Sequence, residues 1–200
     1  MGWSAKVHLK LGSMGSGNDD DGEGKSGESE RQRPSDRCYS LHVSTCRLAA
    51  PTPSDVRAME RVSKASRLVD TLHLAGKTDN AVLGGDMSWD DDIDGPFPIE
   101  GLVGWVDAWS ALRGDGGDGW TYDAVENPML SEYCRKPEIR KRPDRFVCKL
   151  RDFRLRSIEM VGVEPIPGVT HCDDGGYFLP VLPSHHFGLL LTIVPKSFYE

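Results

Sequence analysis

The sequence predicts an α/β fold, and three stretches carry that reading. "YSLHVSTCRL", residues 39–48, alternates Leu41, Val43 and Thr45 with more polar neighbours, as a half-buried strand does. Val56, Met59, Val62, Ala65, Leu68, Val69 and Leu72 then recur at three- and four-residue steps, the period of a helix with one apolar face. The short apolar run Ala81 to Leu83 follows and ends in "GGDMSWDDDIDG". Strand, helix, strand and acidic loop in that order is the layout that puts functional loops at strand ends.

Each element has its local reason. Ser54 or Thr52 can cap the helix through a side-chain oxygen, and Gly76 is a natural stop. "GLVGWVDAWSALRG" places Val106, Trp109 and Leu112 on one helical face with Trp105 beside it, a Trp pair that reads as core. "GWTYDAVEN" is flanked by turn residues and rich in hydrogen-bonding tips. It reads as a loop in which Trp120 or Tyr122 can stack on a nucleobase or wall a cleft. "DRFVCKL", "FRLRSIEMVGV" and "HFGLLLTIV" read as strands that close the fold.

Composition bounds the rest. Among the 200 residues, 38% are hydrophobic and 22 are glycine, so part of the chain is expected to pack no core. Residues 12–37 contain no apolar residue except Met14 and cannot offset the entropy of ordering. The expected organisation is a disordered polar lead over residues 1–37 and a folded portion over 38–200. The first eleven residues hold Lys6 and Lys10 but no continuous apolar run, so neither a signal peptide nor a membrane span is expected, and a soluble intracellular protein is the default reading.

Five cysteines, with no close C-x-x-C pair, argue against a disulfide framework and a zinc ribbon; they read as reduced thiols, most of which pack as small apolar groups. The net charge of -7 discourages unselective binding to nucleic acid. It is unevenly spread: "RKPEIRKRPDRFVCKLRDFRLR" is strongly basic and reads equally as a phosphate-docking surface or as a solvated face.

Two stretches carry the chemistry. Asp86 follows a strand and two glycines that let the backbone approach closely, a place for a carboxylate that orients water or touches a metal. Asp90, Asp91, Asp92 and Asp94 read as solvated loop charge, since the glycine and closing glutamate of a calcium loop are missing. In "LPSHHFGLLL", adjacent side chains of a strand point to opposite faces, so His185 and His186 are not expected to serve one site.

Taken in order, "GGDMSWDDDIDGPFPIEGLVGWVDAW", "GWTYDAVEN", "KRPDRFVCKLRDFRLRSIEMVGVEPIPG" and "LPVLPSHHFGLLLTI" resemble the C-terminal half of tyrosyl-DNA phosphodiesterase 2 (TDP2) of the plant type, within the endonuclease/exonuclease/phosphatase superfamily. The resemblance runs from about Leu41 to Val194 without large gaps. It implies part of a two-sheet α/β sandwich with the N-terminal half of the domain missing. It also implies a Mg²⁺-dependent nuclear DNA-repair hydrolase that cleaves the bond between a trapped topoisomerase tyrosine and a DNA 5′-phosphate.

Carried over residue by residue, the resemblance makes Asp86 the water-positioning aspartate of a G-D-x-N motif, with Ser88 at the asparagine position. It makes Asp144 in "RPDRF" the aspartate that orients the catalytic histidine. In the S-D-H motif it makes His186 the histidine that stabilises the phosphate transition state, and His185 stands where a metal-associated aspartate is expected. Arg47 in "STCRLAAP" stands at a phosphate-contacting histidine position. The glutamate that is the family's main metal ligand, and the strands that carry it, have no counterpart in residues 1–37. The expectation is therefore weak or absent hydrolysis by this chain alone. The alternative is a non-catalytic remnant that binds DNA or a partner chain, with self-association through an uncovered sheet face.

Overall fold

A computed structural model of the chain describes residues 2–10, 38–48, 55–74, 80–114, 118–130 and 138–196. Its elements run β1 (Gly2–Lys10), β2 (Cys38–Cys46), α1 (Asp55–Leu74), β3 (Asn80–Asp86) and α2 (Asp91–Asp94). Then come β4 (Trp105–Asp107), α3 (Ala108–Arg113), β5 (Tyr122–Asp123), β6 (Arg140–Lys141), β7 (Asp144–Leu150) and β8 (Phe153–Val161). The last are β9 (Thr170–Cys172), β10 (Phe178–Pro180) and β11 (Gly188–Pro195).

Five strands form one sheet in the order β1-β2-β3-β7-β4. β2 and β3 are parallel and joined by α1, as a crossover connection requires; every other pair in the sheet is antiparallel. The lead is thus not wholly without structure: Gly2 to Lys10 pairs along all of β2. The signal was present but passed over, since Trp3, Ala5, Val7 and Leu9 alternate with Ser4, Lys6, His8 and Lys10, the period of a strand. Residues 11–37, and with them most of the expected polar lead, lie outside the described residues, as do the caps expected at Thr52 and Ser54 and the stop at Gly76.

The sheet is covered on both sides. One face buries Ala81, Leu83 and Val147 under Ala65, Val69 and Leu72 of α1, together with Trp89, Phe97 and Trp105. The other buries Leu41, Val82 and Cys148 against Trp109 and Ile158, with Leu155, Met160, Leu189, Leu191 and Ile193 packed around them. This second layer is the antiparallel pair β8–β11. The expectation that the inner face of the sheet has nothing to meet is therefore corrected. What stays open is the outer face of β8–β11, where Leu190 lies opposite Glu159 and is 53% exposed.

Three further expectations change. The helix read from Val106 to Leu112 is a strand followed by a one-and-a-half-turn helix. Asp107 ends β4 and caps α3, its Oδ1 accepting from the backbone N–H of Trp109 and Ser110 at 2.9 and 3.2 Å. Trp105 and Trp109 are both core, as expected, but on opposite faces of the sheet. On α1, Met59 is exposed and Arg61 takes the buried position, its side chain making a bidentate pair with Asp94 in which both side chains are fully buried. The acidic loop is accordingly not all solvated charge: Asp94 and Asp90 are buried, and Asp91 and Asp92 are exposed. Periodicity could not show this, because the partner of Asp94 lies 33 residues away in sequence.

Candidate phosphate-handling site

β3 and β7 run antiparallel with Asp86 directly opposite Asp144, so two carboxylates from distant segments meet at one end of the sheet. Gly85 has φ +146°, and a Cβ there would run into the backbone oxygen of Cys46. Only glycine lets the strand approach its neighbour so closely before it delivers Asp86. Asp86 is then fixed by the next turn. Its Oδ1 accepts from Ser88 N at 2.8 Å and lies 3.2 Å from Ser88 Oγ. Ser88 itself adopts φ +47°, a left-handed conformation uncommon outside glycine.

His186 comes from the turn before β11, and its Nδ1 lies 2.7 Å from Asp144 Oδ2. Donor atoms of Asp86, Asp144 and His186 all fall within 4.8 Å of one another. The hydrogen bond from Asp144 holds the imidazole pKa above its ordinary value of 6.5. Partial burial opposes that rise, the charges of Asp144 and Asp86 add to it, and the Arg47 guanidinium opposes it. The edge of Tyr122 packs on the ring, with centroids 5.2 Å apart. Arg47 is 80% exposed in its side chain and reaches to 3.6 Å from Asp86 Oδ2.

The structure thus brings Asp86, Asp144, His186, Tyr122 and Arg47 together. Ser88 is buried behind Asp86 and also lies 3.3 Å from the Leu48 carbonyl, so it presents no free hydroxyl at the surface. His185 points elsewhere, into a cavity of about 220 Å³ shared with Met129, His171, Leu179 and Val181. Trp120 is half-buried in a wider groove of about 1020 Å³, whose walls include Phe97, Trp105 and Arg142 but none of the three clustered residues.

Four cations of the basic stretch are paired within the protein. Arg140 pairs with Asp123 at 3.3 Å, Lys141 with Asp90, Arg142 with Asp107 at 2.8 Å, and Arg145 with Asp91 and Asp107. For these four cations neither open reading, a phosphate-docking surface or a solvated face, describes the arrangement: their ion pairs tie the loop regions to the start of β7. Burial raises the Cys148 thiol to about 12 and, with Asp86 nearby, the Cys46 thiol to about 11, in keeping with their reading as inert apolar groups.

The donor set fits Mg²⁺ poorly. Mg²⁺ demands near-octahedral oxygen ligation. Here Asp144 spends one oxygen on His186, Asp86 spends one on Ser88 and faces Arg47 with the other, and His185 is turned away. Two residues that the sequence did not single out, Thr121 and Asn127, support the turn that carries His186. Their signal was the polar density of "GWTYDAVEN", read there as surface rather than as buried bracing.

No protein-family model matches the sequence, and no curated protein matches it significantly. Solved structures do resemble the fold. TDP2 of D. rerio, in a complex with single-strand DNA product, superposes with a TM-score of 0.58 at 18% identity, covering 78% of this chain and 56% of that one. A truncated TDP2 of Caenorhabditis elegans gives 0.56 at 15% identity, covering 80% of this chain and 56% of that one. A mannosyl-6-phosphatase of Bacteroides thetaiotaomicron gives 0.52 at 15% identity, covering 78% and 52%. The chain spans little more than half the length of each. Its fold is therefore a TDP2-like part of the endonuclease/exonuclease/phosphatase α/β sandwich.

Proposed function

We propose that this chain carries the phosphate-contacting and acid–base groups of a phosphodiesterase site of the tyrosyl-DNA phosphodiesterase type. It engages the phosphodiester at a DNA 5′ end that bears a tyrosyl adduct, and its hydrolysis by this chain alone is slow. The observation that carries the reading is the His186–Asp144 hydrogen bond of 2.7 Å with Asp86 clustered beside it.

Each group has a task. Asp144 holds the Nδ1 side of the imidazole and favours its protonated form, which leaves Nε2–H to donate to a non-bridging phosphate oxygen as negative charge builds there. Asp86, restrained by Ser88, is placed to accept a proton from a water that attacks phosphorus. The new P–O bond forms as the bond to the tyrosine oxygen breaks, and the phenolate leaves, later taking a proton from solvent. Arg47, flexible at the rim, can pair with a phosphate oxygen. Mg²⁺, which the resemblance implies, would need further oxygen ligands from outside the described residues. Nuclear DNA repair would be the setting.

A second reading has its own support: Ser88 is buried behind Asp86 and presents no hydroxyl to a phosphate, and His185 lines a different cavity, which suits a site that binds phosphodiester ends without turnover. The test is single-turnover release of tyrosine from a 5′-phosphotyrosyl oligonucleotide with Mg²⁺. Slow release abolished by His186→Ala and by Asp86→Asn is expected. No release despite retained binding moves the conclusion to the second reading, and release indifferent to both variants overturns the assignment of the site.

A further inference from the structure

Asn127 has no exposed surface, and both donors of its side chain are directed at one turn. Its Nδ2 donates to the carbonyl oxygens of Ser184 at 3.0 Å and His185 at 3.2 Å. Its Oδ1 accepts from the Met129 backbone at 3.1 Å, and its own N–H is anchored on the Asp123 carbonyl. Thr121, equally buried, works from the other side of the same turn. Its Oγ1 accepts from Asp144 N at 3.2 Å, and its carbonyl accepts from Phe187 N at 2.8 Å.

The 184–187 turn has no sheet ladder of its own before β11 begins at Gly188. It is held instead by the two carbonyls before His186 and the amide after it, all bonded to one loop. A buried carboxamide left unsatisfied costs free energy, but any pair of acceptors would satisfy it. Here both donors fall on the two peptides that fix where the His186 ring originates. The same loop also grips the backbone of Asp144, the imidazole's partner.

We propose that Asn127, braced by Thr121, is a positioning residue of the site: it locks the Ser184–Phe187 turn so that His186 stays hydrogen-bonded to Asp144. This rests on the reading of His186 as the phosphate-contacting group, but its test does not require hydrolysis. Asn127→Asp keeps the shape and the acceptor for Met129 and removes both donors. Thr121→Val keeps the shape and the carbonyl and removes the acceptor for Asp144 N.

In the 200-residue chain, ¹H–¹⁵N NMR of the imidazoles is expected to show that each variant returns the His186 pKa towards its ordinary value and loses the downfield Nδ1–H signal. Resonances of His73 on α1 should stay where they are, which separates local release from general loosening. The unmodified chain supplies a measurement independent of how well the variants fold. Couplings across the hydrogen bonds from the Asn127 carboxamide to the Ser184 and His185 carbonyls are expected, with slow exchange of its protons. An unchanged His186 titration in a folded variant, or absent couplings with fast exchange, overturns the proposal. If the His186 titration responds but tyrosine release never depends on His186, the positioning role stands and the phosphodiesterase reading falls.

Discussion

In the five-stranded sheet, α1 and the 87–105 loop cover one face and β8–β11 the other; in the β8–β11 pair, only the face towards Leu41, Val82 and Cys148 is covered. The candidate site grows out of the first sheet, at the Asp86–Asp144 end of β3 and β7, and borrows from the second only the turn that leads into β11. The difference teaches where geometry is determined. The Arg61–Asp94 pair is enclosed on all sides, and Asp86 and Asp144 are held by hydrogen bonds while part of each carboxylate stays open. The outer face around Leu190 and Val161 is fixed by nothing described here. If the protein self-associates through this pair of strands, exposed Leu190 and Val161 are the apolar residues that would meet the partner.

The largest expected effect breaks the covered side. Arg61→Met strands the Asp94 carboxylate in a fully buried position, a change that typically costs about 3–5 kcal/mol. Adding Asp94→Leu should recover most of that loss, because the pair as a whole repays its desolvation poorly. Chemical denaturation checks both, and a single variant as stable as the parent would show that Asp94 is not enclosed. Next comes Gly85→Ala, which forces a side chain onto a φ of +146° and against Cys46. A cost of roughly 1–3 kcal/mol is expected from the strained backbone. It should be accompanied by a larger loss of DNA-end binding than the stability change explains, since Asp86 is the next residue.

The smallest effect on stability is expected on the open side. Leu190→Lys should move stability by no more than about 0.5 kcal/mol, as surface changes do. It should also lower ANS binding and self-association measured by light scattering. Equal dye binding and equal size before and after the change would mean that the outer face of β8–β11 is not the exposed apolar surface.

Much of this was legible in the sequence, for reasons that can be named. Alternation in "YSLHVSTCRL" and the apolar run at Ala81 gave β2 and β3, because burial on a sheet imposes a period that survives in the text. His185 and His186 do separate, but not by strand alternation: both lie in the turn before β11 begins at Gly188, so the turn sets their directions. What stayed hidden depended on long-range partners. Nothing in the helical period marked Arg61 for burial against Asp94, and for Arg140, Lys141, Arg142 and Arg145 a phosphate-docking surface and a solvated face stayed equally open until each found a carboxylate. Asn127 looked like a loop tip because burial of a polar residue is set by what folds around it. β4 and α3 merged into one helix in the reading, since Asp107 is both a strand end and a cap, and only the backbone separates the two.

The central claim is that protonated His186, held by Asp144, meets the phosphodiester. The direct measurement is the affinity for a single-stranded oligonucleotide bearing a 5′-phosphotyrosyl diester, followed across neutral pH at fixed salt, with a 5′-hydroxyl strand as control. A diester is the right probe because a terminal phosphomonoester titrates near pH ~6 and would blur the result. The Asp144 hydrogen bond raises the His186 pKa. The imidazolium should therefore persist to higher pH than in an ordinary histidine, with binding full below that point and lost as pH rises through it. Asp144→Asn should move the step to lower pH. Affinity for the diester that passes through this range without a step, or one that the 5′-hydroxyl strand shares, would contradict the account.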